Sequence, residues 1–151
     1  MANVTEGDQL PPELRERGAV AISARDECEL AEMEPAEAEA MRAELGIETG
    51  ALERVITAAY ALLDLITFFT VAADNKEVRA WSLRSGAKAP EAAGRIHTDM
   101  EKGFVRAEAI AWDELVAAGS FAATREQGKL RSEGKDYVVR DGDVLTIKFT
   151  S

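Results

Sequence analysis

The chain has 151 residues, 46% of them hydrophobic and 30% charged, with a formal net charge of −10. This length and composition predict one ordinary domain, or one domain with a helical appendage, and exclude wholesale disorder. The charge argues at first sight against nucleic-acid binding. A single cysteine and a single histidine exclude an internal disulfide and two-histidine metal motifs. Without a long apolar run or a signal-peptide pattern, the sequence predicts a cytoplasmic protein that does not contact a membrane.

The negative charge is concentrated in the segment 1–60, which carries 14 acidic and 5 basic side chains. The segment 61–151 carries 14 acidic and 13 basic side chains and is close to neutral. Within it, the stretch 76–106 holds seven basic and four acidic side chains. The total charge therefore conceals two regions of different electrostatic character.

Residues 19–63 are predicted to be mostly helical. The apolar stretch 19–22 has the composition of a brief buried strand, and Ser23 after it is a good N-cap type. One helix is predicted over 25–33, and a second opens at Pro35 and ends at Gly46. A third follows residue 50, indicated by one apolar face at helical spacing: Leu52, Val55, Ile56, Ala59, Tyr60 and Leu63.

From residue 65 the hydrophobic period becomes that of strands. Residues 65–71 are β-branched and aromatic, and residues 77–84 are strand-like, so the two predict a hairpin around a turn at 74–76. The alternation in 77–84 is imperfect. It predicts that this strand is bulged or covered on both sides.

The rest of the chain alternates helices with strands. The pattern predicts a helix over 89–97 that packs closely on a sheet, a strand over 104–110, and short helices over 112–118 and 120–128. A last hairpin is predicted from 137–139 and 144–149, around a turn at 140–143. The order predicts an α+β fold of the β-grasp (ubiquitin-like) type, in which a mixed sheet grips a helix.

The sequence lacks the parts that hold a nucleotide triphosphate. A phosphate-binding loop needs Gly-x-x-x-x-Gly-Lys-Ser/Thr. The nearest segment, 123–130, has Ala123 in place of the first glycine and Leu130 in place of the hydroxyl residue. No Asp-x-x-Gly occurs either, so the usual γ-phosphate sensor is missing. We therefore predict no phosphoryl transfer by this chain, no catalytic residues and no metal site.

Other catalytic patterns are equally weak. His97 is the only imidazole, and no feature places a nucleophile beside it; it is interpreted alternatively as a helix-end residue that bonds a carbonyl. The acidic pairs in 113–114 and 141–143 indicate a helix start and a turn. Cys28 lies in an acidic helical stretch without the cations that activate a thiol, so we interpret it as structural.

The basic residues of 76–106 are more informative. Guanidinium and ammonium groups at this density can meet several phosphates, and an imidazole can stack on or bond a base. The alternative is a solvated face with i,i+4 pairs such as Glu91–Arg95. The candidate RNA- or ribosome-binding residues are Lys88, Arg95, His97, Lys102 and Arg106.

Five segments of the second region resemble the C-terminal TGS domain of the YchF (Obg-like) family of translation-factor-related P-loop NTPases: 65–70, 76–84, 86–99, 101–108 and 128–144. The resemblance covers 65–151 almost end to end. Its Ile96-His97-Thr98 element is shared with TGS domains of threonyl-tRNA and stringent-response synthetases.

The resemblance also interprets the first region. Asn3, Val4 and Glu6 resemble the family's variant of the Asn-Lys-x-Asp base-recognition box, and Ser23-Ala24 resembles the Ser-Ala box. By this resemblance, residues 1–30 are the end of a G domain, 31–64 a helical segment and 65–151 the TGS domain. The family's variant box goes with a preference for ATP over GTP. The chain is expected to be a C-terminal fragment whose P-loop and switches lie upstream.

The resemblance implies an RNA- or ribosome-binding module, with the ribosome, tRNA or rRNA and the missing N-terminal G domain as partners. It implies no cofactor for this chain, ATP or GTP with Mg in the full-length family, and a vestigial base site at Asn3, Val4, Glu6, Ser23 and Ala24. Two alternatives stay open. The chain is part of an ATP/GTP hydrolase active only with its G domain, or an inert β-grasp domain that docks on protein.

Overall fold

The computed structural model describes residues 1–5, 10–47, 49–71 and 77–150. The chain divides into two compact units, Met1–Leu62 and Leu63–Ser151, which are treated separately below. Among the described residues, no helix is long and apolar enough to cross a membrane.

The first unit combines two very short strands with four helices. Strands β1 and β2 are parallel, with Ala2 opposite Ala21 and Asn3 opposite Ile22. The main-chain N–H of Val4 continues the ladder to the carbonyl of Ile22 at 2.8 Å. In chain order the elements are β1 (Ala2–Asn3), α1 (Pro12–Glu16), β2 (Ala21–Ile22), α2 (Ala24–Glu32), α3 (Pro35–Glu44) and α4 (Ala51–Leu62).

The helix signals of this unit act as predicted. Ser23 caps α2, since its hydroxyl accepts a hydrogen bond from the N–H of Asp26 at 3.3 Å. Pro35 occupies the first turn of α3, where its missing N–H costs nothing. Gly46 follows α3 with φ of +66°, a left-handed conformation that only glycine adopts without strain.

Burial in the first unit is sparse, and it corrects one prediction. Among the described residues of this unit, the buried apolar ones are Leu30, Ala38 and Ala51. Helix α4 forms as predicted; on its apolar face Leu52 is 73% exposed and Ile56 is exposed, whereas Val55 and Tyr60 are half-buried. Cys28 is exposed on α2, so packing gives it no structural role.

The second unit is a mixed five-stranded sheet with four short helices. The strand order is β4-β3-β7-β5-β6, with β3 and β7 parallel and the other neighbours antiparallel. The predicted mixed sheet is therefore confirmed. Its elements are β3 (Leu65–Val71), β4 (Val78–Arg84), α5 (Ala89–Ile96), α6 (Thr98–Lys102), β5 (Phe104–Ala111), α7 (Trp112–Ala118), α8 (Phe121–Glu126), β6 (Arg131–Glu133) and β7 (Asp143–Phe149).

The core lies between one sheet face and α5. Phe68 stacks on Trp81 across β3 and β4, with ring centroids 6.5 Å apart. Ala89, Ala92 and Ala93 of α5 are fully buried against this layer, which confirms that small side chains let the helix approach the sheet closely. This face will be called the inner face, and the opposite one the outer face.

Three predictions about strands fail. Strand β4 is an edge strand in continuous register with β3, and Val78 is 64% exposed, so it is neither bulged nor covered on both sides. The predicted strand 137–139 provides only a bridge between Val138 and Lys88. The predicted hairpin of 137–139 with 144–149 does not form, because β7 pairs with β3 on one side and β5 on the other, and 131–133 forms the edge strand β6 beside β5. The predicted turn at 74–76 lies outside the described residues.

Candidate nucleic-acid interface

Helix α5 begins at Lys88. The N–H of Lys88 donates to the Glu91 carboxylate at 2.9 Å, and Pro90 lies in the first turn. The ammonium of Lys88 lies 2.8 Å from Asp136. Hydrogen bonding to Asp136 and its negative charge raise the pKa of Lys88, and the same contact lowers the pKa of Asp136. Both side chains are largely exposed, so solvent screens the pair and leaves the ammonium available to another anion.

Arg95 joins the last turn of α5 to the sheet. Its Nε donates to the carbonyl of Ser82 at 3.1 Å, and its side chain is exposed. The i,i+4 pair of Glu91 with Arg95 is one alternative expectation. Among the described residues 77–150, Glu91 instead bonds the N–H of Lys88, and Arg95 bonds Ser82. A guanidinium has five N–H donors in a planar fork, so the remaining donors can meet a phosphate.

His97 lies at a helix end, as its alternative interpretation predicted. Its ring, however, bonds a main-chain N–H and not a carbonyl. It closes α5 and caps α6, with Nδ1 accepting a hydrogen bond from the N–H of Asp99 at 3.2 Å. A neutral ring that accepts at Nδ1 carries its proton on Nε2. The side chain is 64% exposed, so the ring can offer an Nε2–H donor and a face to a base.

The five predicted basic positions occupy three places. Lys88 is at the start of α5, whereas Arg95, His97 and Lys102 lie near its end and on the short α6 that follows. Arg106 is on β5, just after an irregularity in the register between Phe104 and Arg106. Like Glu108, it lies on the outer face of the sheet. The structure does not gather them into one cluster.

The predicted base site brings two of its parts into contact. The Asn3 side-chain carbonyl accepts a hydrogen bond from the N–H of Ala24 at 3.0 Å, although the two residues are well separated in the sequence. Ser23 uses its hydroxyl to cap α2. Val4 extends the β1 ladder, and Glu6 lies outside the described residues. The parallel β1–β2 pair is what places Asn3 beside Ser23-Ala24.

Two features of the described residues bear on a metal or phosphate-loop site. In the described ranges, no group of three or more His, Cys, Asp or Glu side chains could hold a metal ion. The glycine of the nearest loop-like segment, Gly128, follows α8 with φ of +67° and does not open a helix.

The structure also reveals a polar cluster that the sequence did not indicate. Asp143 is 2% exposed and accepts from the Tyr137 hydroxyl at 2.6 Å, from Arg131 at 3.2 Å and from the Arg140 N–H at 2.9 Å. Burial first, and Asp143 second, raise the pKa of Tyr137 to about 12. The Asp-Gly-Asp signal indicated only a turn. Asp141, which lies between the strands, accepts a hydrogen bond from the N–H of Thr67 in β3 at 2.8 Å.

Another group missed at the sequence level surrounds Glu108 on the outer face. Its carboxylate lies 3.6 Å from the Lys148 ammonium and 3.6 Å from the Arg125 guanidinium. The three come from β5, β7 and α8. Lys148 and Arg125 lie far beyond Arg106 in the sequence. Only the register of β5 with β7 and the position of α8 bring them to the same face.

Comparison with known proteins identifies relatives over both units. A family model named YchF-GTPase_C, described as "Protein of unknown function (DUF933)", matches residues 65–150. The chain is 44% identical to "Ribosome-binding ATPase YchF" of Bacillus subtilis (strain 168), covering 99% of this chain and 44% of that protein. It is 48% identical to the protein of the same name from Escherichia coli O157:H7, over 86% of this chain and 35% of the relative.

A solved structure agrees with these relatives. "Structure of the Schizosaccharomyces pombe YchF GTPase" matches with a TM-score of 0.75 and 36% identity, covering 86% of this chain and 34% of that one. The chain thus spans less than half the length of the relatives it matches, and it corresponds to their C-terminal portion.

Proposed function

The chain belongs to the YchF family, and we propose that it is the RNA- or ribosome-binding module of a YchF-type ATPase. One observation carries this proposal: relatives that are 44% and 48% identical to it over the aligned residues are named ribosome-binding ATPases. The family model matches 65–150, nearly the whole of the second unit. The near-neutral charge of that unit permits local binding to RNA, whereas the acidic segment 1–60 would be repelled by it.

We further propose that the second unit is a TGS domain of the β-grasp type. The strand order β4-β3-β7-β5-β6 supports this, because a parallel central pair is flanked by antiparallel strands and α5 packs on one face. The remaining organisation is proposed with it: residues 1–30 as the end of a G domain, 31–64 as a helical segment and 65–151 as the TGS domain.

In this proposal, RNA contacts come from Lys88, Arg95, His97, Lys102 and Arg106. All five are exposed. Lys88 can exchange its partner for a phosphate, because Asp136 is 95% exposed to water. Arg95 uses one of its five N–H donors on the Ser82 carbonyl, so the other donors can contact a phosphate. His97 has an exposed ring held in one orientation by its bond to Asp99.

The chain alone is proposed not to hydrolyse nucleotide. Its sequence has no P-loop, and the base site at Asn3, Val4, Glu6, Ser23 and Ala24 would be vestigial without a phosphate cradle. ATP or GTP with Mg would belong to the longer relatives. The observation that favours the hydrolase alternative is the Asn3–Ala24 bond, because it keeps the proposed base box and Ser-Ala box together.

Co-sedimentation with ribosomes tests the binding proposal. The chain should pellet with ribosomes at about 50 mM salt and much less at about 200 mM, since phosphate contacts release counterions. The triple variant K88E/R95E/K102E should lose binding. The triple variant K129E/K135E/R140E makes the same charge change at exposed positions of the same unit and should retain it. If the unmodified chain fails to pellet at low salt, the module is not a ribosome binder and the inert docking alternative is favoured.

Turnover of ATP tests the claim about hydrolysis. The purified chain should release no phosphate above a buffer blank. Turnover that rises with chain concentration would contradict the proposal and would require a phosphate site elsewhere in these residues.

A further inference from the structure

The outer face of the second unit carries a pair of cations on two neighbouring strands, β5 and β7. In the antiparallel β5–β7 pair, Arg106 lies directly opposite Lys148. One step along, Glu108 lies opposite Thr146, and a further step along are Ile110 and Val144. Side chains at these alternate positions project to the same side, away from the core that contains Ala107 and Leu145.

Arg106 and Lys148 are two like charges at directly opposite positions of the sheet. Directly opposite residues of an antiparallel pair have Cβ atoms roughly 5 Å apart, and like charges there destabilise the sheet. Both residues are exposed, so their charged groups are accessible from solvent. An anion between the two side chains would remove this repulsion.

Glu108 organises the cations beside this pair. Its side chain is only 20% exposed, and it lies 3.6 Å from both Lys148 and Arg125. One carboxylate cannot neutralise three cations, so Arg106, Arg125, Lys148 and Glu108 together carry a net charge of about +2. These four residues will be called the sheet-face cluster.

We propose that the sheet-face cluster binds phosphate groups of an RNA backbone, with Arg106 and Lys148 sharing one phosphate. Arg125 binds a neighbouring phosphate, and Glu108 is a positioning residue that holds Arg125 and Lys148 at the sheet. This inference rests on the proposed RNA-binding function and adds Arg125 and Lys148 to its residues.

Further along the strands, the outer face carries apolar side chains. Phe69 lies opposite both Ala80 and Val144, so it is on the same outer face, and it is half-buried. Val78, at the same parity of the edge strand as Ala80, is 64% exposed. Beside Phe69, however, Val144 and Ile110 are buried, so this part of the outer face is covered, and the choice of RNA over an acidic peptide rests on the proposed function and on the charge of the cluster.

Binding of a fluorescent single-stranded RNA, such as oligouridylate, to the full 151-residue chain tests the inference. The variant R106Q/K148Q should weaken binding roughly tenfold or more at about 50 mM salt and should reduce the slope of log affinity against log salt by roughly 0.7, because the pair contacts one phosphate of a single strand. The matched control K135Q/R140Q removes the same charge at exposed positions of the same unit and should stay within about twofold of the unmodified chain.

Three results would each overturn a distinct part. If the unmodified chain binds RNA and R106Q/K148Q binds as well as K135Q/R140Q does, the sheet-face assignment is wrong while the proposed function stands. If the unmodified chain binds neither RNA nor ribosomes, the proposed function fails and the inference with it. If polyglutamate displaces the RNA at equal charge concentration, the partner is an acidic protein. The urea midpoint of R106Q/K148Q is measured beside its binding, because the variant removes the Lys148–Glu108 ion pair as well as the two like charges; a folded variant that has lost binding excludes misfolding as the cause.

Discussion

The hydroxyl of Tyr137 donates a 2.6 Å hydrogen bond to the carboxylate of Asp143, whose side chain is 2% exposed. Arg131 adds a bond at 3.2 Å to the same carboxylate and lies over the Tyr137 ring, 5.4 Å from its centroid. The network joins β6, the 134–142 loop and β7. It therefore fixes a long connection that has almost no regular structure of its own.

Removing the charge of Asp143 should destabilise the protein strongly. In D143N the donors of Arg131, Tyr137 and Arg140 face an amide, which accepts fewer hydrogen bonds than a carboxylate. The substitution also leaves the Arg131 guanidinium without its buried negative partner. We expect a loss of about 2–4 kcal/mol in the free energy of unfolding, measured by urea denaturation. D136N is the matched control, because Asp136 is 95% exposed, and it should change stability by less than about 0.5 kcal/mol. Equal effects of the two variants would refute a structural role for the network.

The same network makes stability depend on alkaline pH. The pKa of Tyr137 is raised to about 12 in the folded protein, whereas an unfolded tyrosine titrates near pH 10. Between these pH values the folded state binds more protons than the unfolded state. The contribution of Tyr137 to the free energy of unfolding is therefore fully present below about pH 10 and is lost as the pH rises towards 12. Urea midpoints across this interval should decline for the unmodified chain. Y137F should lose that part of the slope; a slope unchanged by Y137F would show that other groups cause it.

Gly103 should not tolerate a side chain. It lies where α6 meets β5, and a Cβ built there would overlap the carbonyl of Thr150, which belongs to the end of the chain after β7. The backbone is tied at this point, since the N–H of Thr150 donates to the carbonyl of Gly103 at 2.9 Å. G103A should cost about 1–3 kcal/mol by thermal or urea unfolding.

Gly134 supplies the comparison for that variant. A Cβ at Gly134 meets no heavy atom within 4 Å, and its φ is not positive. G134A should therefore be neutral or slightly stabilising. A G103A protein as stable as G134A would mean that the contact between Gly103 and Thr150 opens readily.

Amide exchange should differ sharply between the two units. The first unit buries only Leu30, Ala38 and Ala51 among its described apolar residues, and its β1–β2 sheet has two residues in each strand. The second has a continuous core under a five-stranded sheet. Residues 1–30 should exchange much faster than 65–150, measured by mass spectrometry of peptic fragments. Uniform protection would contradict this prediction and indicate that the first unit is stabilised by contacts beyond its own core.

Local signals in the sequence were sufficient to predict most elements. Ser23 as a cap, Pro35 at a helix start, and the change from helical to strand period near residue 65 depend on neighbours a few positions away, and each is confirmed. The family resemblance, which depends on residue identity along 65–144, is confirmed by the comparisons.

Burial and pairing were decided only by the tertiary structure. The pattern around Leu52 and Ile56 predicts a helix with an apolar face, but periodicity does not say whether anything covers that face. The apolar segment 137–139 has the composition of a strand, yet it does not pair with 144–149, because both edges of β7 are taken by β3 and β5.

The candidate interface shows the same division. The sequence determined that basic residues are concentrated between 76 and 106, because charge is read directly from composition. It could not determine that Arg106 faces Lys148 or that Glu108 joins Arg125 to Lys148, since the members of each pair lie far apart in the sequence. Strand register brings them together, and register depends on long-range packing that no local pattern encodes.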